Sequence, residues 1–380
     1  MEFSFTEEQL MFKEQVVRFA RNEIAPRCQE HDLQGEFDFQ SFRKLGDFGI
    51  LGLHFPAELG GSDADVVTTV LAGEALGEAG VDGGLTLAYG AHTFLCADTI
   101  FTHGSEAQKK KYVPKLASGE WIGCMGLTEP NAGSDVASIS TRAERKGDRY
   151  VLNGNKMFIT NGPIADVAVI YAKTGKDLKH AGVSAFVVDK GTPGFSAGKN
   201  LIKMGVRSSH TSELVFEDCE IPAENLIGQE GAGFLMAMQT VEWDRSALLS
   251  PFIGGMTYVL EKCLKYSRER YQFGRPIGQF QAIKHKLADI KIFLEAARSL
   301  CYRIAWCKDQ GRPLNFLEAA VAKLFVGDWS LGPANDAMVL HGGYGYCHEY
   351  EVERYFRDSR LAPIGGGTSE IQKRVIAKLL

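Results

Sequence analysis

The sequence has no cluster of basic residues, no apolar run long enough to cross a bilayer and no closely spaced cysteine pair, and each absence removes a class of function. The formal net charge is -5, with 42 Lys and Arg against 47 Asp and Glu. The one basic run, Lys109-Lys110-Lys111, reads as a solvated helix face, so the phosphate-matching stripe that nucleic acid requires is missing and no nucleic-acid partner is expected. Eight cysteines at positions 28, 96, 124, 219, 263, 301, 307 and 347 show neither zinc-type nor thioredoxin-type spacing. They read as reduced core thiols in a cytoplasmic compartment, with no metal site. No apolar stretch reaches the length of a membrane span, and Met1 to Thr6 enters a helix start without a basic, apolar or Arg/Ser-rich leader. The Gly-x-Gly-x-x-Gly dinucleotide fingerprint is also missing. Gly228 to Gly233 is glycine-rich at the wrong spacing and reads as a connection into the next helix.

What is present is a chain of 380 residues, 45% hydrophobic and 23% charged, enough for a sizeable core divided over two or three domains. Residues 1–120 read as an N-terminal α-helical domain. Thr6 with Gln9 and Ser105 with Gln108 have the form of capping boxes, Pro26 is expected to close the first helix, and Gly83 to Thr102 is apolar on nearly all sides and so interior. Residues 121–230 carry short alternating runs separated by turn residues, among them Gly147-Asp148 and Asn153-Gly154-Asn155, and read as a middle antiparallel β domain. Helical periodicity returns over 231–380, a C-terminal four-helix-bundle-like domain with breaks near Gly274-Arg275-Pro276, Gly311-Arg312-Pro313 and Gly342-Gly343. The fold class is thus α+β and multidomain, and no internal repeat competes with it.

Four ordered motifs span this chain: Leu127-Thr128-Glu129-Pro130-Asn131-Ala132-Gly133-Ser134-Asp135, Lys156 to Gly162, Arg268 to Pro276, and Pro363-Ile364-Gly365-Gly366-Gly367-Thr368-Ser369-Glu370-Ile371-Gln372. Together they resemble the flavin-dependent acyl-CoA dehydrogenases. The resemblance implies FAD as the hydride acceptor, which no side chain can replace. It puts Met125, Leu127, Thr128, Gly133 and Ser134, then Phe158 and Thr160, around the flavin ring, with Thr128 and Thr160 at its polar edge. Phe158 stands where many relatives have tryptophan, keeping the aromatic wall without the indole donor. Arg270, Phe273 and Gln281 are implied at the diphosphate and adenosine, joined by the 339 to 343 turn, including Gly342 and Gly343, from a neighbouring subunit. Val339 there replaces a common glutamine. Arg270 suits a diphosphate because a guanidinium pairs two oxygens at once. Thr368 and Glu370 would close the site, and the shared cofactor implies a homotetramer. The resemblance also implies an acyl-CoA substrate and an electron-transfer flavoprotein as acceptor.

One position departs from the pattern. Most of the family has, at the place of Gly366, the glutamate that takes the substrate's α-proton, and glycine cannot do this. A minority carries the acid on the first long helix of the C-terminal domain, immediately before an arginine. In this chain that segment is Val241-Glu242-Trp243-Asp244-Arg245, so Asp244 is the candidate base, Arg245 a supporting residue, and Glu242 either the fallback base or a contact to the CoA tail. Aspartate is one C–C bond shorter than glutamate, about 1.5 Å, so the substrate should sit closer to this helix. Pro251 and Gly254-Gly255, read as a kink inside a helical run, would shape an acyl pocket. Tyr89 and His92 could line it with Ser134, Glu242, Asp244, Arg245 and Gly366, although His92 is also a natural core histidine. The displaced acid leaves room for a branched or cyclic acyl group such as cyclohexanecarboxyl-CoA or an isovaleryl-type thioester. The similarity of Glu242-Trp243-Asp244-Arg245 to prolyl enzymes suggests instead an acyl or aminoacyl group on a carrier protein. A flavin-binding relative without proton abstraction is the reading of another class.

Overall fold

The computed structural model describes residues 4–175, 179–312 and 315–380, without the side chains of 179, 180 and 241–244. The N-terminal helices are α1 (Glu7–Glu23), α2 (Ala25–Gln34), α3 (Phe39–Asp47), α4 (Val66–Glu78), α5 (Gly83–Gly90), α6 (Asp98–His103) and α7 (Glu106–Ala117), with a π-helical segment, Ala91–Ala97, between α5 and α6. Both capping boxes form: Gln9 N donates to Thr6 Oγ1 at 3.2 Å while Thr6 N donates to Gln9 Oε1 at 3.1 Å, and Ser105 and Gln108 repeat the exchange. Pro26 does not close α1. It lies in the first turn of α2, where the N–H it lacks has no intrahelical acceptor in any case. The segment from Gly83 is buried as its composition requires.

The sheet runs β6 (Phe195–Ala197), β7 (Thr211–Pro222), β3 (Arg149–Thr160), β2 (Arg142–Lys146), β4 (Val167–Lys173), β5 (Val183–Asp189), β8 (Leu226–Ile227), with β1 (Gly123–Gly126) added on β4. Neighbours are antiparallel, except that β1 and the end of β2 run parallel to β4. Gly147, at φ 66°, turns the β2–β3 hairpin. Asn153-Gly154-Asn155 is not a turn: β3 continues through it with a register shift against β7 between Leu152 and Gly154. Gly154 sits at φ 138°, and a Cβ there would lie 2.7 Å from the Thr141 backbone. The glycine therefore marks a bulge under a close neighbour, which a local turn signal cannot distinguish from a reversal.

Beyond Gly233 follow α8 (Gly233–Ala247), α9 (Ser250–Glu269), the short strands β9 (Tyr271–Gln272) and β10 (Arg275–Pro276), α10 (Gln281–Asp309), α11 (Phe316–Trp329), α12 (Leu331–His341), α13 (Val352–Ser359) and α14 (Ser369–Leu379). Pro251 does not kink a continuous helix. α8 ends first, and the proline occupies the opening turn of α9. The glycines beside it have a different use. A Cβ on Gly254 would lie 1.9 Å from Glu74 O, and one on Gly77 1.9 Å from Pro251 O. Backbones of α4 and α9 thus touch directly, which only glycine permits.

The three segments meet at a buried polar junction. Asp82 caps α5 through Gly84 N at 2.8 Å and also receives the Ser208 hydroxyl. Asp358 of α13 accepts Val206 N at 2.5 Å and Gly83 N at 3.2 Å, while Arg357 pairs with Asp32 at 2.6 Å and 3.2 Å. Burial pushes the Asp358 carboxyl up to about 7, with the Val206 N–H opposing and Asp32 and Asp82 adding to the rise.

Candidate active site

From Gly126 to Glu129 alternate residues do opposite jobs. Gly126 leaves room for an inward side chain, since its Cβ would fall 3.1 Å from Lys156 Cγ. Glu129 turns inward and its carboxylate accepts Ser140 N (2.5 Å), Ser140 Oγ (2.8 Å), Thr141 N (2.9 Å) and Lys156 Nζ (2.6 Å). Burial would raise this carboxyl, but the Lys156 charge and the hydrogen bonds outweigh burial and hold it at about 2. For Lys156 burial wins, and its ammonium is lowered to about 8 despite Glu129. Met157 N donates to Thr128 O at 2.8 Å and Glu129 pairs with Ala132 across a tight turn. The 127–135 turn is thereby strapped to β3.

This strap brings several sequence-predicted residues to one surface. Met125, Thr128 and Thr160 are half-buried, Leu127 is buried, and Gly133 and Ser134 are exposed at the tip of the turn. Nothing lies within 4 Å of a Cβ at Gly133. Phe158 departs from the strand at φ 61° and is 64% exposed, an aromatic face with polar groups at its margin, which fits a flat heteroaromatic ring. Asn161 anchors the end of β3, its Nδ2 donating to Ala88 O at 2.9 Å and Gly123 O at 3.1 Å.

A second group sits on the C-terminal helices. Arg270 lines a cleft of about 440 Å³ together with Tyr266, Gln272, Leu340, Gly342, Gly343, Tyr344 and Cys347. Its guanidinium is 5.7 Å from the Tyr344 ring, and glycine peptides with a guanidinium suit an anionic diphosphate. Phe273 is 92% exposed at φ 52°; Gln281 and Val339 are exposed nearby in sequence on α10 and α12. Arg270 and the 342–343 turn belong to one cleft of one chain, so a neighbour that supplies one supplies the other.

The empty acid position is a third element. Gly366 lies at φ 65° with nothing within 4 Å of its would-be Cβ. Lys323 Nζ donates to Gly367 O at 2.5 Å and Gln372 Nε2 to Gly366 O at 3.2 Å, which fixes the turn. Arg245 of α8 is 8% exposed, and its guanidinium reaches to 3.9 Å from the Cβ position of Gly367. The side chains of Glu242, Trp243 and Asp244 lie outside the described residues; their backbone is in α8. Thr368 caps α14 by accepting Ile371 N at 3.3 Å, and Glu370 is exposed in its first turn.

Two candidate pocket residues are fully buried. His92 is a satisfied core histidine: its Nδ1 accepts Gly123 N at 2.9 Å, so Nε2 carries the proton donated to Leu116 O at 2.9 Å. Burial lowers it to about 4. Tyr89 is fully buried against Phe94, and its hydroxyl has no hydrogen-bond partner among the described residues. Conversely Glu129, Lys156 and Asn161 were not singled out from sequence. A lysine at an inward strand position was the available signal, since it demands a buried anion.

Comparison with known proteins agrees with this geometry. Family models for the acyl-CoA dehydrogenase N-terminal, middle and C-terminal domains match residues 6–120, 124–219 and 231–380. A short-chain-specific acyl-CoA dehydrogenase of Clostridium acetobutylicum is 43% identical over 99% of both chains. Mitochondrial isovaleryl-CoA dehydrogenase of Pongo abelii is 41% identical over 98% of this chain and 88% of its own. Among solved structures, the prolyl acyl carrier protein oxidase AnaB superposes with a TM-score of 0.96 at 38% identity, covering 99% of each chain. PigA with FAD and proline superposes with a TM-score of 0.96 at 35% identity, covering 100% of this chain and 99% of that one. Domain order, full-length coverage and the aromatic and guanidinium groups suited to a flavin nucleotide converge on one conclusion: the chain belongs to the acyl-CoA dehydrogenase family and is an FAD-dependent oxidoreductase.

Proposed function

We propose that this protein carries out α,β-dehydrogenation of a branched or cyclic acyl-CoA thioester, with Asp244 as the base that removes the α-proton. The observation that carries this reading is the acid-free Gly366 turn with the α8 arginine, Arg245, packed against it. Arg245 directly follows Asp244 on α8, which supports the reading that the displaced acid approaches this turn. FAD, when bound, accepts the hydride from the β-carbon. Phe158, Met125, Thr128 and Thr160 would hold its ring, and Arg270 with the 342–343 turn its diphosphate. The ring-side group orients the cofactor, while the carboxylate on α8 would hold the proton. Direct pairing of Asp244 with Arg245 would lower its basicity, but adjacent helical residues point apart. Glu242 serves the CoA tail or, failing Asp244, the proton. The working form is a cytoplasmic homotetramer passing electrons to an electron-transfer flavoprotein.

Anaerobic mixing with a panel of straight, branched and cyclic CoA thioesters tests the proposal, because a competent substrate bleaches the flavin absorbance. Bleaching is expected with branched or cyclic thioesters. The likeness to a prolyl acyl carrier protein oxidase supports a second reading, in which only an acyl or aminoacyl group on a carrier domain is oxidised. Silence toward every CoA thioester with turnover of a carrier-bound group would replace the first reading by the second. Silence toward both would leave a flavin-binding relative without proton abstraction.

A further inference from the structure

Lys156 is fully buried on β3, an expensive place for an ammonium unless its charge is held. Glu129 holds it at 2.6 Å, yet the lysine makes a second bond, to Leu127 O at 3.2 Å. That oxygen belongs to the Leu127–Thr128 peptide. The N–H at the other end of this peptide is that of half-buried Thr128, and among the described residues nothing accepts it. A cation on an amide oxygen draws electron density along the peptide and strengthens its N–H as a donor.

Packing does not explain the choice of residues. A buried ion pair replaced by apolar groups of similar volume is often neutral or stabilising, and a methionine would fill the space beside Gly126. A charge retained under these conditions points to an electrostatic task. Resting on the proposed placement of the flavin's polar edge at Thr128, we infer that Lys156 is a positioning residue for the redox chemistry, acting through the Leu127–Thr128 peptide to favour the reduced, electron-rich ring. Glu129 keeps the buried pair neutral, and its bonds to Ser140 and Thr141 fix the lysine's partner so that Nζ stays on the carbonyl. The cation acts one peptide away from the cofactor and never touches it.

The test compares the FAD-loaded full-length protein with the double variant Glu129→Gln/Lys156→Met, which removes both charges and leaves no buried ion unpaired. Midpoint potential is measured by spectroelectrochemical titration and FAD dissociation by dilution into apo-flavoprotein trap. The expected result is a roughly tenfold loss of preference for the reduced flavin, about 30 mV for a two-electron couple, with FAD stoichiometry unchanged and its dissociation rate within twofold. An unmoved potential overturns the inference, as does a fall accompanied by a proportionate rise in FAD dissociation, which would make the pair a plain brace. Should this double variant fail to fold, Glu129→Gln/Lys156→Gln carries the same test, since it keeps a donor for Leu127 O, leaves no buried ion unpaired and should shift the potential the same way. Phe158→Leu separates this idea from the flavin placement beneath it. A visible spectrum unchanged in Phe158→Leu would sink the placement, whereas a shifted spectrum there with an unmoved potential in the charge variants would sink the role of Lys156 alone.

Discussion

Returning an acid to position 366 while removing the one on α8 tests where the proton goes. At Gly366 a Cβ meets nothing within 4 Å, so bulk is tolerated, but φ is 65°. A left-handed backbone costs an L-residue roughly 1–2 kcal/mol, and this should be the whole stability cost of Gly366→Glu. The Arg245 guanidinium and the Lys323 ammonium beside Gly367 would keep the new carboxylate ionised. Asp244→Asn preserves size and removes basicity, so flavin reduction in anaerobic stopped flow should fall by ~10²–10⁴, the range of a positioned general base, with FAD content unchanged. The double variant Asp244→Asn/Gly366→Glu should recover at least about tenfold on straight-chain thioesters and stay slow on branched ones, because the glutamate fills the space assigned to their substituents. Near-normal reduction by Asp244→Asn alone would refute the assignment and with it the branched or cyclic preference. A stability loss above about 4 kcal/mol in Gly366→Glu would contradict the open space itself.

Arg270→Ala should weaken FAD retention roughly ten- to hundredfold, the loss of a charged hydrogen bond worth ~1.5–3 kcal/mol, read from fluorescence of released flavin at equilibrium. Gly254→Ala should lower stability in denaturant melts, since it forces a Cβ to 1.9 Å from Glu74 O, an overpacking of about 1–3 kcal/mol. Glu129 gives a pH signature. Its folded value of about 2 lies below the ordinary 4.5, so its stabilisation, about 3 kcal/mol, is full above pH 4.5 and fades as pH falls toward 2. The stability gap between wild type and Glu129→Gln should therefore narrow on acidification from pH 6 to 3; a constant gap would show that the carboxylate is not held as described.

Local chemistry was legible in the sequence, and chemistry between distant segments was not. The capping boxes at Thr6 and Ser105 appear because a helix start and its cap are three residues apart. Gly154 was misread because a bulge and a reversal use the same residue, and only the presence of Thr141 across the sheet distinguishes them. Pro251 and Gly254 were noticed as a disturbance of helical pattern, but their use, a close approach to Gly77 and Glu74, depends on a helix far earlier in the chain. The residues proposed for the flavin side, Thr128, Phe158 and Thr160, could be named from motifs, while the ion pair between Glu129 and Lys156 could not, since the two share no local pattern. His92 reads as core or pocket from its chemistry alone, and the two backbone bonds that satisfy it in the interior decide for the core.

The polar junction of Asp32, Asp82, Val206, Ser208, Arg357 and Asp358 bears on how such a chain acquires its structure. Each of the three segments contributes a partner, so separating any one of them breaks at least one of these bonds to a charged group, each worth about 1.5–3 kcal/mol. Removal of the sheet would take the Val206 N–H from Asp358 and the Ser208 hydroxyl from Asp82, leaving them the Gly83 and Gly84 N–H groups, and loss of α13 would take Arg357 from Asp32. The junction therefore ties the stability of each segment to the presence of the other two.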